Sequence, residues 1–355
     1  MWILSLIFFG TIINAEILYE GSDCSFKNQR GTCISFDKCQ KVKKDVMSGA
    51  IGFSEVVHCA SKDGVSLICC PGSTSDRSDV EESTQKMPAK DSVSACKLYS
   101  APENIGAPID FQILEGIPTT PGEFPHMAAL RYNRLNETNW GCGGSLISDQ
   151  YVLTAAHCAS GSNIPDLIRL GKTSLSDDED GVNSVDVSIE KITLHPLYRG
   201  HQKSFDIALI KLAKTVEITN FVRPACLHTS NNITRNDKLI ATGWGATNVS
   251  TRSKSDVLLK VNLTLADIDS CNRTYIEYND RHLRALNDGH ICTSPGKSDT
   301  CEGDSGGPLQ MLNDIGVSTI VGVTSTGVSC GTQIYPGLYS RVAFFIDWID
   351  SVVWT

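Results

Sequence analysis

Peptide hydrolysis at neutral pH needs a nucleophile, a base to take its proton, and a buried carboxylate to hold that base in the right tautomer. Three segments of this 355-residue chain supply such groups. In Leu153-Thr154-Ala155-Ala156-His157-Cys158 the histidine sits beside a cysteine able to pin its loop. In Phe205-Asp206-Ile207-Ala208-Leu209 a lone carboxylate precedes an apolar run, which predicts a partly buried acid. In Gly303-Asp304-Ser305-Gly306-Gly307-Pro308 the glycines let backbone N–H groups approach a substrate carbonyl. Taken singly, each segment has an ordinary reading: a core histidine, an aspartate at a strand end, a Gly-rich turn. Together they predict His157 as base, Asp206 as its orienting carboxylate and Ser305 as nucleophile.

The rest of the chain says where such chemistry would operate. Residues 1–15, MWILSLIFFGTIINA, are almost unbroken apolar and end on the small residue Ala15. That run fits a secretory signal peptide better than a membrane span, which needs about 20 residues. No later stretch is long and apolar enough to span a bilayer, so a soluble, secreted chain with no membrane partner is expected. Fourteen cysteines form an even set, which after a signal peptide reads as disulfides rather than metal ligands or redox centres. Glycosylation sequons at Asn136, Asn232, Asn248, Asn262 and Asn272 agree with passage through the secretory pathway. A formal charge of −9 without a basic stripe argues against a nucleic-acid partner. Residues 177–180, DDED, read as a solvated loop, with a cation site as the alternative.

Six cysteines between Cys24 and Cys70 mark a small unit whose apolar content is too low for a self-sufficient core, so three bridges should staple it. Their pairing is not settled by sequence alone. Residues 71–94 are rich in Ser, Asp, Glu, Lys and Gly and read as linker. From Ile113 onward, short β-branched runs such as VDVSIEKITL and STIVGVTST alternate with Gly, Asn, Asp and Pro turns, which predicts antiparallel sheets or barrels. The final stretch, VAFFIDWIDSVVW, has apolar residues at helical spacing and predicts a C-terminal helix. No internal repeat is visible.

The order His, Asp, Ser, with Cys142-Gly143-Gly144-Ser145-Leu146 and Gly243-Trp244-Gly245 as further landmarks, resembles the chymotrypsin/trypsin family across residues 113–355. The resemblance implies an all-β fold: a chymotrypsin-like double antiparallel β-barrel, six strands to a barrel, with a C-terminal helix and the triad in the cleft. It implies an oxyanion hole made by the N–H groups of Gly303 and Ser305, and a serine endopeptidase that uses no cofactor and no metal. Asp299, six residues before Ser305, takes the family position at the base of the primary pocket, with Ser325 beside it and Gly327 and Gly337 as walls. A negative floor between glycine walls admits Lys or Arg. Thr326 stands where the family usually has Trp, which implies a smaller apolar shelf. Lys172 stands where calcium-binding members place a Glu, and a cation there repels the ion.

By family position Cys142 pairs with Cys158, Cys271 with Cys292 and Cys301 with Cys330. Cys96 and Cys226 remain and are expected to pair with each other, tethering the amino-terminal piece after any cut between them. The first six cysteines end in Cys69-Cys70 and resemble the clip domain of arthropod cascade proteases, residues 24–70, with a generic disulfide module as the alternative. The clip resemblance implies the bridges Cys24–Cys69, Cys33–Cys59 and Cys39–Cys70.

Family members become active when a cut frees a branched apolar amino terminus that pairs with the Asp before the nucleophile. Here those residues are Ile113 and Asp304, and the residue before the bond is Gln112, where cascade zymogens carry Arg or Lys. A neutral Gln gains nothing from a pocket carboxylate, and no Lys or Arg lies between Lys97 and Ile113. Residues 71–112 therefore read as linker and activation strip, cut by an upstream protease of non-tryptic specificity; an ordinary linker with a drifted cleavage residue is the alternative. This strip, with the segments at 125–130 and 336–342, is similar to an insect clip-domain protease in which the segment is bait for microbial proteases and activity feeds the Toll pathway. The resemblance implies a hemolymph enzyme whose partners are a downstream protease zymogen as substrate and serpin inhibitors. Two other readings compete: a non-catalytic clip-domain cofactor, against which Ser305 argues, and a digestive or venom trypsin, which rarely needs a tethered module.

Overall fold

The computed structural model describes residues 23–27, 29–35, 39–47, 51, 56–62, 65–71, 89–100, 116–134, 137–162, 164–176, 182–200, 204–247, 253–277, 286–294, 303–313, 316–326 and 336–354. Residues 1–15 and 177–180, and Gln112, Ile113, Asn136, Asn248, Asp299, Cys301, Gly327 and Cys330, lie outside them. The chain divides into two compact units, Met1–Lys86 and Met87–Thr355.

In the first unit, strands β1 (Asp23–Phe26), β2 (Gln29–Ser35), β3 (His58–Lys62) and β4 (Val65–Pro71) form an antiparallel sheet in the order β1-β2-β4-β3. Helix α1 (Gln40–Met47) lies against β4. Its core is small: Val42, Val56 and Ile68 with the half-cystines Cys39 and Cys70. Neighbours on a strand point to opposite faces, so Cys69 and Cys70 reach different partners. Cys69 bonds Cys24 and Cys70 bonds Cys39, while Cys33 bonds Cys59. Closing loops of 45, 31 and 26 residues restricts the unfolded chain. Each such bridge contributes about 3–4 kcal/mol, which offsets the small core.

The second unit opens with helix α2 (Ser92–Tyr99), inside the segment read as linker. Asp91 caps it: its Oδ1 accepts from the Ser94 N–H at 2.7 Å, while the Ser94 hydroxyl oxygen accepts from the Asp91 N–H at 3.1 Å. The Ser94 N–H and, also at 2.7 Å, the Ser94 hydroxyl donate to the Asp91 carboxylate and hold it below its ordinary pKa. Disulfide Cys96–Cys226 fastens the helix to the body, and Ser92 donates to Asp350 through both its N–H and its hydroxyl, at 3.2 and 3.3 Å.

After the short strand β5 (Ile117–Pro118) come β6 (Met127–Arg134), β7 (Glu137–Leu146), β8 (Tyr151–Thr154), β9 (Leu167–Leu170), β10 (Val185–Leu194) and β11 (Ala208–Leu212). The last six close into a barrel in the order β10-β11-β8-β7-β6-β9, filled by buried Leu130, Leu146, Leu153, Ile168 and Leu209. Strands β12 (Cys226–Leu227), β13 (Leu239–Gly243), β14 (Leu259–Leu263), β15 (His290–Thr293), β16 (Pro308–Leu312), β17 (Ser318–Thr326) and β18 (Gly337–Arg341) follow. They and β5 form a second sheet, β15-β18-β17-β16-β13-β14-β5, with β12 parallel to β17. A bridge between Leu265 and Thr293 returns the end of β14 to β15, so β13–β18 curl into the second barrel that the family resemblance predicts.

A buried ion pair between Glu123 and Lys260, with the Thr120 N–H donating to the same carboxylate at 3.0 Å, fixes the chain after β5 onto β14. Helix α3 (Ile268–Glu277) is tied to β15 by Cys271–Cys292. The predicted C-terminal helix is a 3-10 turn, Val342–Phe345, followed by α4 (Ile346–Val353), with Phe345 and Ile349 buried in the first barrel's core. No helix among the described residues is long and apolar enough to cross a membrane.

Candidate active site

His157 lies on a 3-10 turn, Ala156–Ala159, that follows β8, and Asp206 immediately precedes the run into β11. Because β8 and β11 pair with Thr154 opposite Ala208, the two segments emerge side by side. The Cys142–Cys158 bridge and a 2.6 Å bond from the Tyr132 hydroxyl to the Cys158 carbonyl hold the histidine turn. Asp206 is 1% exposed, and three donors reach its carboxylate. Its Oδ2 lies 2.7 Å from His157 Nδ1 and accepts the Ser325 hydroxyl at 2.5 Å; its Oδ1 accepts the His157 backbone N–H at 2.9 Å. The Ser340 hydroxyl donates to the Asp206 carbonyl at 2.8 Å.

Burial by itself raises the Asp206 pKa, but the His157 charge and the hydrogen bonds from His157 and Ser325 outweigh it and leave the carboxyl below its ordinary value. An ionised Asp206 accepting at Nδ1 places the histidine proton there and leaves Nε2 as the acceptor.

Ser305 rides on the turn ahead of β16. Gly303 and Gly306 adopt φ of 104° and 77°, a region that disfavours any Cβ. A Cβ on Gly306 would also stand 2.2 Å from Thr154 Oγ1 and 2.5 Å from the Gly143 carbonyl. The Ser305 carbonyl accepts from the Gly143 N–H at 2.8 Å, and Gly306 donates to the Thr324 carbonyl at 2.8 Å, so both barrels grip the turn. Gly306 thereby packs on the residues that lead into His157. Among the described residues no hydrogen bond joins the Ser305 hydroxyl to His157. The Asp304 carboxylate accepts from the Gly245 N–H at 2.8 Å. Cβ atoms at Gly243 and Gly245 would meet its oxygens at 2.0 and 2.3 Å, which accounts for both glycines of the Gly-Trp-Gly motif.

Of the residues expected around the primary pocket, Ser325 near the end of β17 is turned onto Asp206, and Gly337 starts β18 opposite Thr293. Ser340 was not anticipated. Its signal is a hydroxyl in an otherwise buried strand, Gly337–Arg341, where a buried polar group must find a partner. Lys172 is buried, and its Nζ donates to the Val182 carbonyl at 2.9 Å, which puts an ammonium in the loop where a metal ion would need oxygens. The groups Cys142, His157, Cys158 and Cys24, Cys33, Cys59 are compact enough for a metal, yet each cysteine is in a disulfide and offers no thiolate. A cavity of about 230 Å³ opens beside Gly303 and Cys142, walled by Trp140, Leu175 and Trp244, with Lys254 lining it as well. Of the described sequons, Asn232 and Asn262 are exposed, whereas Asn272 Oδ1 accepts from the Leu286 N–H at 3.2 Å.

The trypsin family model matches residues 113–349. Serine protease Hayan of Drosophila melanogaster is 39% identical over 273 residues, 74% of this chain and 42% of that protein. Phenoloxidase-activating factor 3 of Holotrichia diomphalia is 34% identical over 378 residues, covering 99% of each chain. CLIP domain-containing serine protease HP8 of Bombyx mori is 34% identical over 358 residues, 91% of this chain and 92% of that protein. A trypsin-like fold, a His–Asp–Ser set in the family order and full-length similarity to such proteins lead to one assignment: the chain belongs to the trypsin family of serine proteases and is homologous to insect clip-domain proteases.

Proposed function

We propose that this chain is the zymogen of a secreted serine endopeptidase that cleaves after Arg or Lys within a proteolytic cascade. The observation that carries the reading is the buried Asp206 carboxylate against His157 Nδ1 at 2.7 Å, beside a glycine turn that presents Ser305. His157 Nε2 takes the Ser305 hydroxyl proton as Oγ bonds to the scissile carbonyl carbon. The oxyanion accepts from the N–H groups of Gly303 and Ser305, and His157 returns the proton to the leaving amine as the C–N bond breaks. A water, deprotonated by the same histidine, then releases the acyl group. Asp206 stays ionised throughout and stabilises the imidazolium. Asp299 at the floor of the primary pocket would pair with the substrate's guanidinium or ammonium.

The proposed organisation is signal peptide 1–15, clip domain 24–70, linker and activation segment 71–112, and catalytic domain 113–355. Cys301–Cys330 would brace the pocket. Cleavage before Ile113 would let the new amino terminus pair with Asp304. Gln112 at that bond removes the basic residue a trypsin-like activator needs, so activation falls to a protease of other specificity. In this respect the chain resembles Persephone, an insect clip-domain protease whose corresponding segment is bait for microbial proteases and whose activity feeds the Toll pathway; an innate immune role follows from that resemblance. A downstream zymogen would be the substrate and serpins the inhibitors.

The test is to expose the secreted zymogen to trypsin-like clip proteases and to broad-specificity microbial proteases, sequence the new amino terminus, and assay Arg and Leu chromogenic peptides. Arg cleavage that requires an Ile113 terminus, arises only with the microbial proteases and disappears in Ser305→Ala is expected. An Ile113 terminus without Arg or Lys cleavage refutes the specificity, and activation by trypsin-like clip proteases alone refutes the bait reading.

A further inference from the structure

We infer that Phe205 and His195 form an aromatic clamp that positions the Asp206 carboxylate, an inference that rests on the hydrolytic reading above. Phe205 has a φ of 58°, in the left-handed region that a side chain with a Cβ avoids, and it directly precedes Asp206. A tight turn follows: the Ile207 N–H donates to the Phe205 carbonyl at 2.8 Å, leaving Asp206 at the apex between them. That turn takes the carboxylate off the line of β11 and aims it at His157. Backbone of this kind persists only where the surroundings hold it, and such strain gathers at active sites.

What holds it is a set of rings. The His195 imidazole stacks on Phe205 with centroids 5.1 Å apart and planes 15° from parallel. Phe345 meets both rings edge-on, at 6.0 Å from Phe205 and 5.2 Å from His195, and Trp348 meets His195 at 4.9 Å. His195 is itself fixed to the same turn, because its backbone N–H donates to the Ile207 carbonyl at 3.1 Å. Its Nδ1 accepts the Leu197 N–H at 3.2 Å, which locks the ring plane. At a φ below zero the Phe205 ring would leave this stack, so the clamp and the left-handed turn stand or fall together. Among the described residues no hydrogen bond or ring contact joins Phe205 or His195 to His157 or Ser305, so their effect passes through Asp206.

The test uses the full-length chain, activated by the microbial protease identified above or, failing that, through Gln112→Arg and a trypsin-like protease. A small Arg peptide is the substrate, and rates are normalised to titrated active sites. His195→Ala should lower kcat by about tenfold with KM nearly unchanged, the scale of a slight misplacement of a catalytic group. It should also shift or broaden the downfield Nδ1 proton resonance of His157, because a carboxylate held less squarely makes a poorer bond there. His195→Phe, which keeps the stack, should restore both. Should His195→Ala fail to fold, Phe205→Leu reads the same loss and Phe205→Tyr the same rescue. A lowered Tm with kcat and the His157 Nδ1 resonance unchanged would overturn the clamp and leave only packing. Loss of all activity in Ser305→Ala separates that outcome from failure of the hydrolytic reading, which activity in Ser305→Ala would sink by itself.

Discussion

Asp206 and His157 belong to the closed first barrel, and the carboxylate there accepts two bonds from His157 and one from Ser325 while 1% exposed. Ser305 sits instead on a turn of the second sheet whose shape depends on Gly303 and Gly306 at positive φ and on Asp304 lodged against Gly243 and Gly245. One half of the site is held by buried hydrogen bonds and a disulfide that no cut in the chain would alter. The other is a turn gripped by backbone bonds to Gly143 and Thr324 and by the Asp304 carboxylate, the group with which, in the proposed activation, a freed Ile113 terminus would pair. Under the proposed function, an inhibited state would need to disturb only the Ser305 turn and would leave His157 and Asp206 in place.

Four measurements break or sharpen that contrast. Asp206→Asn should retain the fold but lower kcat by about 10⁴-fold, since an amide holds the histidine in the wrong tautomer. A loss below tenfold in the activated enzyme would remove Asp206 from the chemistry. Gly245→Ala should cost roughly 10²–10³-fold, the scale of a lost oxyanion donor, because its Cβ would displace the Asp304 carboxylate. The downfield Nδ1 proton resonance of His157 should persist in that variant; its disappearance would show that the halves are not separable. Ser325→Ala removes one of the donors that hold Asp206 ionised and should lower kcat by about tenfold. A KM effect alone would return Ser325 to the substrate pocket.

The smallest effect on activity concerns the seam between the barrels. His126 is buried there, and among the described residues its Nε2 has no hydrogen-bond partner; burial pushes its pKa down to about 3, and the nearby Gln310 amide offsets this only in part. The unfolded chain takes up this proton near pH 6.5 and the folded protein not until about pH 3, so stability is full above 6.5 and falls as the pH drops through that window. Urea unfolding of the second unit should show about 2 kcal/mol less stability at pH 5 than at pH 7 from this residue. His126→Phe should flatten that dependence, and an unchanged slope would place the acid sensitivity elsewhere.

Much of this was legible locally. The β-branched runs became strands, VDVSIEKITL as the half-exposed β10 and STIVGVTST as β17, buried along nearly its whole length, because branched side chains suit a pleated surface. Helix α2 was obscured by the polar composition around it, although Asp91 and Ser94 carry the capping signature. Its face is meaningful only beside Cys226 and Asp350, the latter bonded to Ser92 across a separation of 258 residues. In the sequence Phe205 is only the residue before Asp206, and nothing local reveals its left-handed backbone, which depends on rings from His195 and Phe345.

Residue types alone were enough for the order His, Asp, Ser and for the glycines that permit the Ser305 turn, because these are read within short segments of the chain. The environment of Asp206 was decided only by the tertiary structure. Its partners His157, Ser325 and Ser340 lie 49, 119 and 134 residues away along the chain. Only closure of the first barrel and the packing of β17 and β18 bring the His157 and Ser325 donors to the carboxylate and the Ser340 hydroxyl to the same residue's carbonyl, where burial makes each hydrogen bond necessary and the first two partners keep the acid ionised.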